Sequence, residues 1–418
     1  MASEGRDVVV VGGGVVGIAC ALELARRGAE VTVLERDRVG AACSSGNAGL
    51  LTPSVSLPLP APGLFPKALL WLFDSSSPLY IEPRWSLDLA RWLAGFLAAT
   101  SRRRFERGTE ALVSLSRSSV DFWAELARRG PDSFGFRDTG LLQVFESPAS
   151  FAAGRSKADL VSRFGVVVET WTADEVRERE PALAGPVAGA YFYSNEGHCE
   201  PALAVAALAA EASRHGVHFV EGAEAWKFRR SGSRVAELET TRGVFRADEV
   251  VIAAGAWSGR LAAELGVRLP MLGAKGYTLL VPPIERMPRR AYQLADRKIA
   301  VTPHDERLRL SGTLELVDLD FSITESRVAA IAAGARAALG LAEPLAPTEV
   351  WRGLRPTLPD GLPAIGRSPA AENLWLATGH QMTGLKTAPA TGRLLAELMS
   401  GAAPSFDPAP FRPDRFGS

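Results

Sequence analysis

The chain has 418 residues, of which 47% are hydrophobic and 22% charged, and its 47 basic and 47 acidic side chains cancel. That balance excludes a disordered chain, a coiled coil and a fibrous repeat, and no basic excess argues for nucleic acid as a partner. The length suits two or three domains of roughly 150 residues each.

The three cysteines, Cys20, Cys43 and Cys199, are odd in number and far apart. They form no C-x-x-C pair, so a reduced compartment is expected. The opening MASEGRD lacks the basic and apolar regions of a signal peptide. No run of about 18 uncharged apolar residues appears, so no spanning helix is expected. The expected location is cytoplasmic.

Val8–Val11 is a short β-branched run that reads as a buried strand. Gly12-Gly13-Gly14-Val15-Val16-Gly17 follows, and Ile18 to Arg27 reads as an Ala/Leu-rich helix closed by Gly28. Val31 to Leu34 is a second strand, ending on Glu35. Strand, turn, helix and strand within about 30 residues make a βαβ unit. Gly12 permits the tight turn, Gly14 lets a pyrophosphate approach the backbone, and Gly17 lets helix and strand pack. The helix N-terminus offers N–H groups to phosphate. Glu35 is placed to accept hydrogen bonds from a ribose, and its charge disfavours a 2′-phosphate. The motif alone does not separate FAD from NAD.

From Pro53 to Pro66 the chain reads as an ordered loop. Leu69 to Phe73 and Leu87 to Ala99 read as helical segments with aromatic anchors. Arg102-Arg103-Arg104 follows, then an amphipathic helix around Leu112 to Leu126. Leu141–Phe145, Gly189–Tyr193 and the stretch from Tyr277 to Leu314 alternate in the manner of an antiparallel sheet. Pro201 to His215 reads as a helix, and Val217–Val220 and Glu249–Ala253 as strands. The strand running into Ala254-Gly255-Ala256-Trp257 ends in small residues that a flat ligand can approach. Leu374-Trp375-Leu376 leads through Thr378-Gly379-His380 into a helix from about Thr387 to Met399. Its N-terminus favours negative charge. Arg355, between Trp351 and Pro356, is a good fork for a carboxylate. The five histidines, at 198, 215, 218, 304 and 380, have no metal-ligand spacing, and no metal site is expected.

Together these segments resemble the D-amino acid oxidase/dehydrogenase superfamily of FAD-dependent oxidoreductases. The likeness runs from about Arg6 to Gly401 and is nearest to bacterial D-amino acid dehydrogenases and relatives acting on D-proline or hydroxyproline. VVVVGGGVVGIACALELARRGAEVTVLERD carries it, with SSGNAGLLTP, APGLFPKALLWLF, KGYTLLV, RLSGTLEL, WRGLRPTLPDGLPAIG and NLWLATGHQMTGLKTAPATG.

The resemblance implies a mixed fold, α/β plus α+β: a discontinuous Rossmann-like FAD-binding domain with an inserted antiparallel-sheet substrate domain. The FAD-binding parts would be 1–60, 198–265 and 345–402, the substrate parts 61–197 and 266–344, with a tail at 403–418. Gly12, Gly14, Val15, Val16, Gly17, Glu35 and Arg36 would hold the ADP half of FAD. Ser44, Ser45, Asn47, Ala48, Gly49 and Leu50 would lie beside the isoalloxazine ring, and Ala254, Gly255 and Trp257 would line the cofactor cleft. Gly379, Gly384, Leu385, Lys386 and Thr387 would meet the ring's pyrimidine side. Arg355 would pair with the substrate carboxylate. Tyr277 and Lys275 are candidates for the substrate or flavin face, and His380 for the turn before the flavin-contacting helix.

The implied reaction is hydride transfer from Cα of a D-amino acid to flavin N5. Electrons would pass to a quinone or another acceptor. An oxidase using O2 stays open, as does an FAD-carrying subunit of a hetero-oligomeric hydroxyproline dehydrogenase or a homo-oligomer. No cysteine lies near the C-terminal turn, so FAD is expected to be non-covalent. Leu50-Leu51 and Gln381-Met382 depart from the pattern where the substrate side chain would sit. The apolar stretch Leu64 to Phe96 is read as a buried lid or core, with peripheral contact on the inner face of the cell membrane as the alternative.

Overall fold

The computed structural model describes residues 5–63, 79–81, 86–129 and 134–417. The reading of Leu69 to Phe73 as helix lies outside them. A six-stranded sheet is built in the spatial order Ala364–Arg367, Leu374–Thr378, Glu249–Ile252, Asp7–Val11, Glu30–Glu35 and His218–Glu221. All neighbours in it are parallel except the first pair. Its strands come from the N-terminus, the middle and the C-terminus, and they are almost wholly apolar because both faces are covered.

One face is covered by three helices, Val15–Ala25, Pro201–Arg214 and Gly384–Ser400. The other carries the meander Ala225–Ser231, Arg234–Thr240 and Gly243–Phe245, whose Phe228, Val235 and Leu238 join Val9, Val250 and Ile252 in one apolar cluster. Gly17 packs the first helix so closely on the turn that a Cβ there would lie 1.9 Å from the Gly12 carbonyl oxygen.

A nine-stranded mixed sheet forms the second body. Along its length run Glu349–Thr357, Leu272–Val281, Arg307–Val317, Ile299–His304, Ala291–Leu294, Leu141–Phe145, Gly189–Tyr193 and Val168–Thr172, and Leu79–Ile81 pairs with Arg307–Val317. Most neighbours are antiparallel, while Ala291–Leu294 runs parallel to Leu141–Phe145. Helix Glu325–Leu339 covers the face that carries Tyr277, Leu279, Tyr292 and Leu310.

Some elements differ from the sequence expectations. Glu349–Thr357 falls within 345–402, assigned by sequence to the nucleotide-binding part, yet it pairs over nine positions with Leu272–Val281 of the mixed sheet. Its pattern hides this, because Gly353 and Pro356 interrupt the alternation. The basic run at Arg102 opens a single long helix, Arg102–Arg129, rather than preceding it. The last helix starts at Gly384 rather than near Thr387. The tail docks: Phe411 is buried, and Arg415 pairs with Asp360 and the Leu362 carbonyl. In helix Leu87–Ala99 the aromatic anchors face inward. Trp92 stacks on Phe96 and donates its indole N–H to the Thr357 carbonyl.

Candidate active site

The glycine turn is built for a close ligand. Gly12 sits at φ +113°, and a Cβ there would lie 2.6 Å from the Ala253 carbonyl oxygen. The ends of two adjacent strands therefore meet without side chains between them. A Cβ at Gly14 would meet only the Ser44 hydroxyl, at 3.3 Å, so the direction a pyrophosphate needs is open. Glu35 accepts from the Gly13 N–H at 2.8 Å and the Asp37 N–H at 2.9 Å, which fixes its carboxylate at the strand end. Arg36 lies 3.8 Å above the Trp257 ring, and Trp257 stacks on Phe321. The Gly255 carbonyl accepts from Thr378, which also bonds Ser258. Val16 packs against the helix-side core. These residues fit the ADP half of a dinucleotide.

The next loop is held by its own side chains. Ser44 accepts from the Val15 N–H at 3.0 Å. Ser45 reaches the Ala42 carbonyl. Asn47 donates to the Ser44 carbonyl and accepts from the Gly49 N–H. The mixed sheet grips this loop too, because Arg309 donates to the Asn47 carbonyl and Thr302 to the Ala48 carbonyl. Arg309 is buried and ion-paired with Glu200, beside His198 and His304. Leu50 continues into a short ladder with His198.

The C-terminal turn closes the same cleft. Gly379 has φ +84°, and a Cβ there would lie 2.4 Å from Leu358. His380 bridges to Thr357 and hydrogen-bonds Thr391, and its Nδ1 has no partner among the described residues. Burial pulls this imidazole down to about 3, so it is neutral. Gly384 starts the helix, the Leu385 carbonyl accepts from Trp123, and Thr387 bonds the Thr383 carbonyl. Lys386 turns away to the Thr52 carbonyl. Burial lowers its pKa, while the nearby Glu196 carboxylate opposes the shift. Glu196 is itself raised by burial, and it takes both the N–H and the hydroxyl of Ser54. This buried pair fastens the segment after Leu51. The sequence points to Lys386 but not to Glu196 or Ser54, because nothing local marks them.

Arg355 is the unusual charge. It is half-buried, and no carboxylate among the described residues pairs with it. Burial draws its pKa down to about 10, so it keeps its charge at neutral pH. One N–H donates to the Thr313 carbonyl at 2.7 Å. That carbonyl is aimed by a bulge: Thr313 has φ +63°, a strained value for a β-branched residue, where the register slips between Lys275 and Tyr277. The guanidinium lies over Gly276, where a Cβ would be 2.2 Å from Nη2. Trp351 and Gly353 alternate with Arg355 and share its face.

Lys275 and Tyr277 are not brought to that face. They pair with Leu354 and Arg352, the positions between, and point to the helix-covered side. There Lys275 is held by Asp320, Ser322 and Glu315. The Tyr277 hydroxyl accepts from the Thr324 N–H. Among the described residues there is no group of three His, Cys, Asp or Glu able to hold a metal. No helix among them is long and apolar enough to cross a membrane.

The family model for DAO, FAD dependent oxidoreductase, matches residues 7–398. The chain belongs to this family. Its cofactor is therefore FAD, which the glycine turn, the Ser44–Gly49 loop and the C-terminal turn suit. The chain is similar to a D-amino acid dehydrogenase of Cereibacter sphaeroides, at 35% identity over 98% of this chain and 95% of that one. A D-amino acid dehydrogenase of Chromohalobacter salexigens is 34% identical, over 96% and 97%. Among solved structures, glycine oxidase from Geobacillus kaustophilus is similar, with a TM-score of 0.77, 27% identity and 99% of each chain covered. L-Proline dehydrogenase from P. horikoshii shares the DAO-type fold, with a TM-score of 0.78, 22% identity and coverage of 99% and 98%. The mixed α/β architecture expected from the sequence is thus the family's own.

Proposed function

We propose that the protein is an FAD-dependent D-amino acid dehydrogenase in which Arg355 binds the substrate carboxylate. The observation that carries this is the half-buried guanidinium with no carboxylate partner among the described residues, set on a glycine floor beside the cofactor loop. A planar fork in that setting matches a carboxylate bidentately. The names of the similar bacterial proteins support the substrate class and its hand.

When bound, FAD supplies a hydride acceptor at N5. The chain's work is to hold the amino acid so that its Cα–H faces that acceptor. Arg355 fixes the carboxylate. With FAD bound and the amine neutral, the amine lone pair would supply the C=N bond, and no protein base would be required. The iminium then hydrolyses in water to a 2-oxo acid and ammonium. His380, neutral and tied to Thr357 and Thr391, would hold the turn that borders the cofactor rather than move a proton. Lys275 and Tyr277 brace the strand from behind. A quinone or a similar acceptor would take up the electron pair, and FAD would be held without a covalent bond.

We place the cofactor part on the parallel sheet and the substrate part on the mixed sheet, with Glu349–Thr357 belonging to the latter. Steady-state assay with a dye acceptor tests the function. The expected result is 2-oxo acid and ammonium from D-amino acids, with little peroxide in air. Equal rates with L-amino acids would overturn the hand. Fast peroxide formation would make the protein an oxidase.

A further inference from the structure

We infer that Trp351 is a positioning residue that sets the spacing between the cofactor loop and the carboxylate-binding strand. The inference rests on the function proposed above, in which Arg355 holds the substrate and the Ser44–Gly49 loop borders the flavin. Two contacts join loop and strand at this point. The Cys43 thiol donates to the Leu354 carbonyl at 2.7 Å. The Gly46 main chain rests on the Trp351 indole, where a Cβ would lie 2.0 Å from Cε2 and 2.1 Å from Cδ2.

The contact continues without a gap to the arginine. The far end of the indole meets Gly353, where a Cβ would lie 2.1 Å from Cη2. Gly353 is paired directly with Gly276 across the two strands. Gly276 in turn lies under the Arg355 guanidinium. Loop, indole, two paired glycines and guanidinium therefore form one packed row.

Each of the three glycines stands where a methyl group would push the next member. Interiors packed this closely transmit displacement rather than absorb it. A tryptophan has only two side-chain torsions, and this ring is confined at both ends. Arg309 and Thr302 hold the same loop at Asn47 and Ala48, also from the mixed sheet. Trp351 sets its height at the Arg355 end. Reactive geometry tolerates little error, since reacting atoms must come within about 3–3.5 Å, and an error of about 1 Å can cost on the order of a hundredfold in rate. A tryptophan that merely filled space would show its loss in stability and not in the rate of the chemical step.

The test is a double-mutant cycle on the full-length holoenzyme with Gly46→Ala, Trp351→Phe and the pair. Flavin bleaching is followed anaerobically against D-amino acid concentration. FAD affinity and the visible absorption and circular dichroism of bound FAD are measured on the same proteins. Gly46→Ala is expected to lower the limiting bleaching rate about tenfold or more, with the FAD dissociation constant moved less than about threefold. The smaller ring makes room for the added methyl, so the double variant is expected to exceed the product of the single effects by about fivefold or more. The flavin bands should shift in Gly46→Ala and return in the double variant. Strictly additive rate losses would overturn the proposal. So would flavin bands unmoved by Gly46→Ala, or a loss confined to FAD affinity or thermal stability. A wild-type flavin that no amino acid bleaches would sink the proposed substrate alone, because the flavin bands still report the contact between Gly46 and Trp351.

Discussion

The guanidinium of Arg355 lies across Gly276, and the missing side chain of that glycine is what makes room for it. A methyl group there would sit 2.2 Å from Nη2. Gly276→Ala should therefore displace the arginine without removing its charge. The expected result is a kcat/KM lower by about tenfold or more, carried mainly by weaker substrate binding. Stopped-flow bleaching separates the two constants, and an unchanged substrate dissociation constant would contradict this placement.

Arg355 itself has no anionic partner among the described residues, so its own truncation reports on the substrate. Arg355→Ala should cost about 2–5 kcal/mol in kcat/KM, the scale for removing one member of a buried charge pair. Arg355→Lys should also lose activity, because an ammonium cannot reproduce the fork. Wild-type kcat/KM in either variant would remove the arginine from the site.

Glu35 is fixed by two backbone N–H groups at the end of its strand, where the proposed FAD would place its ribose. Glu35→Ala removes an ionic acceptor, and hydrogen bonds to such groups contribute about 1.5–3 kcal/mol. FAD affinity should fall about 10–100-fold on that scale. Titration of apoprotein with FAD by fluorescence checks it, and an unaltered dissociation constant would contradict the ribose contact.

Acid should destabilise the protein through its buried histidines. Burial, aided by the cation of Arg137, holds His198 down to about 4. Burial, aided by Arg309, holds His304 down to about 3, and burial alone does the same for His380. These rings are neutral when folded and titrate near 6.5 when unfolded. The unfolded chain thus binds more protons below that pH. The stability they contribute is whole above pH 6.5 and drains as pH falls toward 4 and 3. At pH 5 the loss is about 2 kcal/mol per histidine. Denaturant midpoints at pH 7.5 and 5 measure it, and His304→Gln should flatten the slope. An identical slope in that variant would contradict the neutral burial of His304.

Legibility in the sequence followed locality. The glycine turn, its helix and Glu35 could be read because their whole logic fits within about 30 residues. Helix Leu87–Ala99 could be read from its own periodicity. Arg355 stood out for its neighbours in sequence. Its surroundings did not, because Gly46, Gly276 and Gly353 acquire meaning only when strands and a loop far apart in sequence come together. The bulge at Thr313 and the buried Glu196–Lys386 pair are equally invisible without the fold. Lys275 and Tyr277 are candidates only through the resemblance carried by the strand KGYTLLV. Alternation along that strand turns them to the other face, and a register slip at the bulge is not legible from composition.

The most direct test of the central claim is anaerobic mixing of the purified yellow protein with matched D- and L-amino acids while the flavin band is watched. D-amino acids should bleach the flavin, Arg355→Ala should lose that bleaching, and colour should return slowly when air is admitted. Bleaching of the Arg355→Ala protein at the wild-type rate and substrate concentration would contradict it.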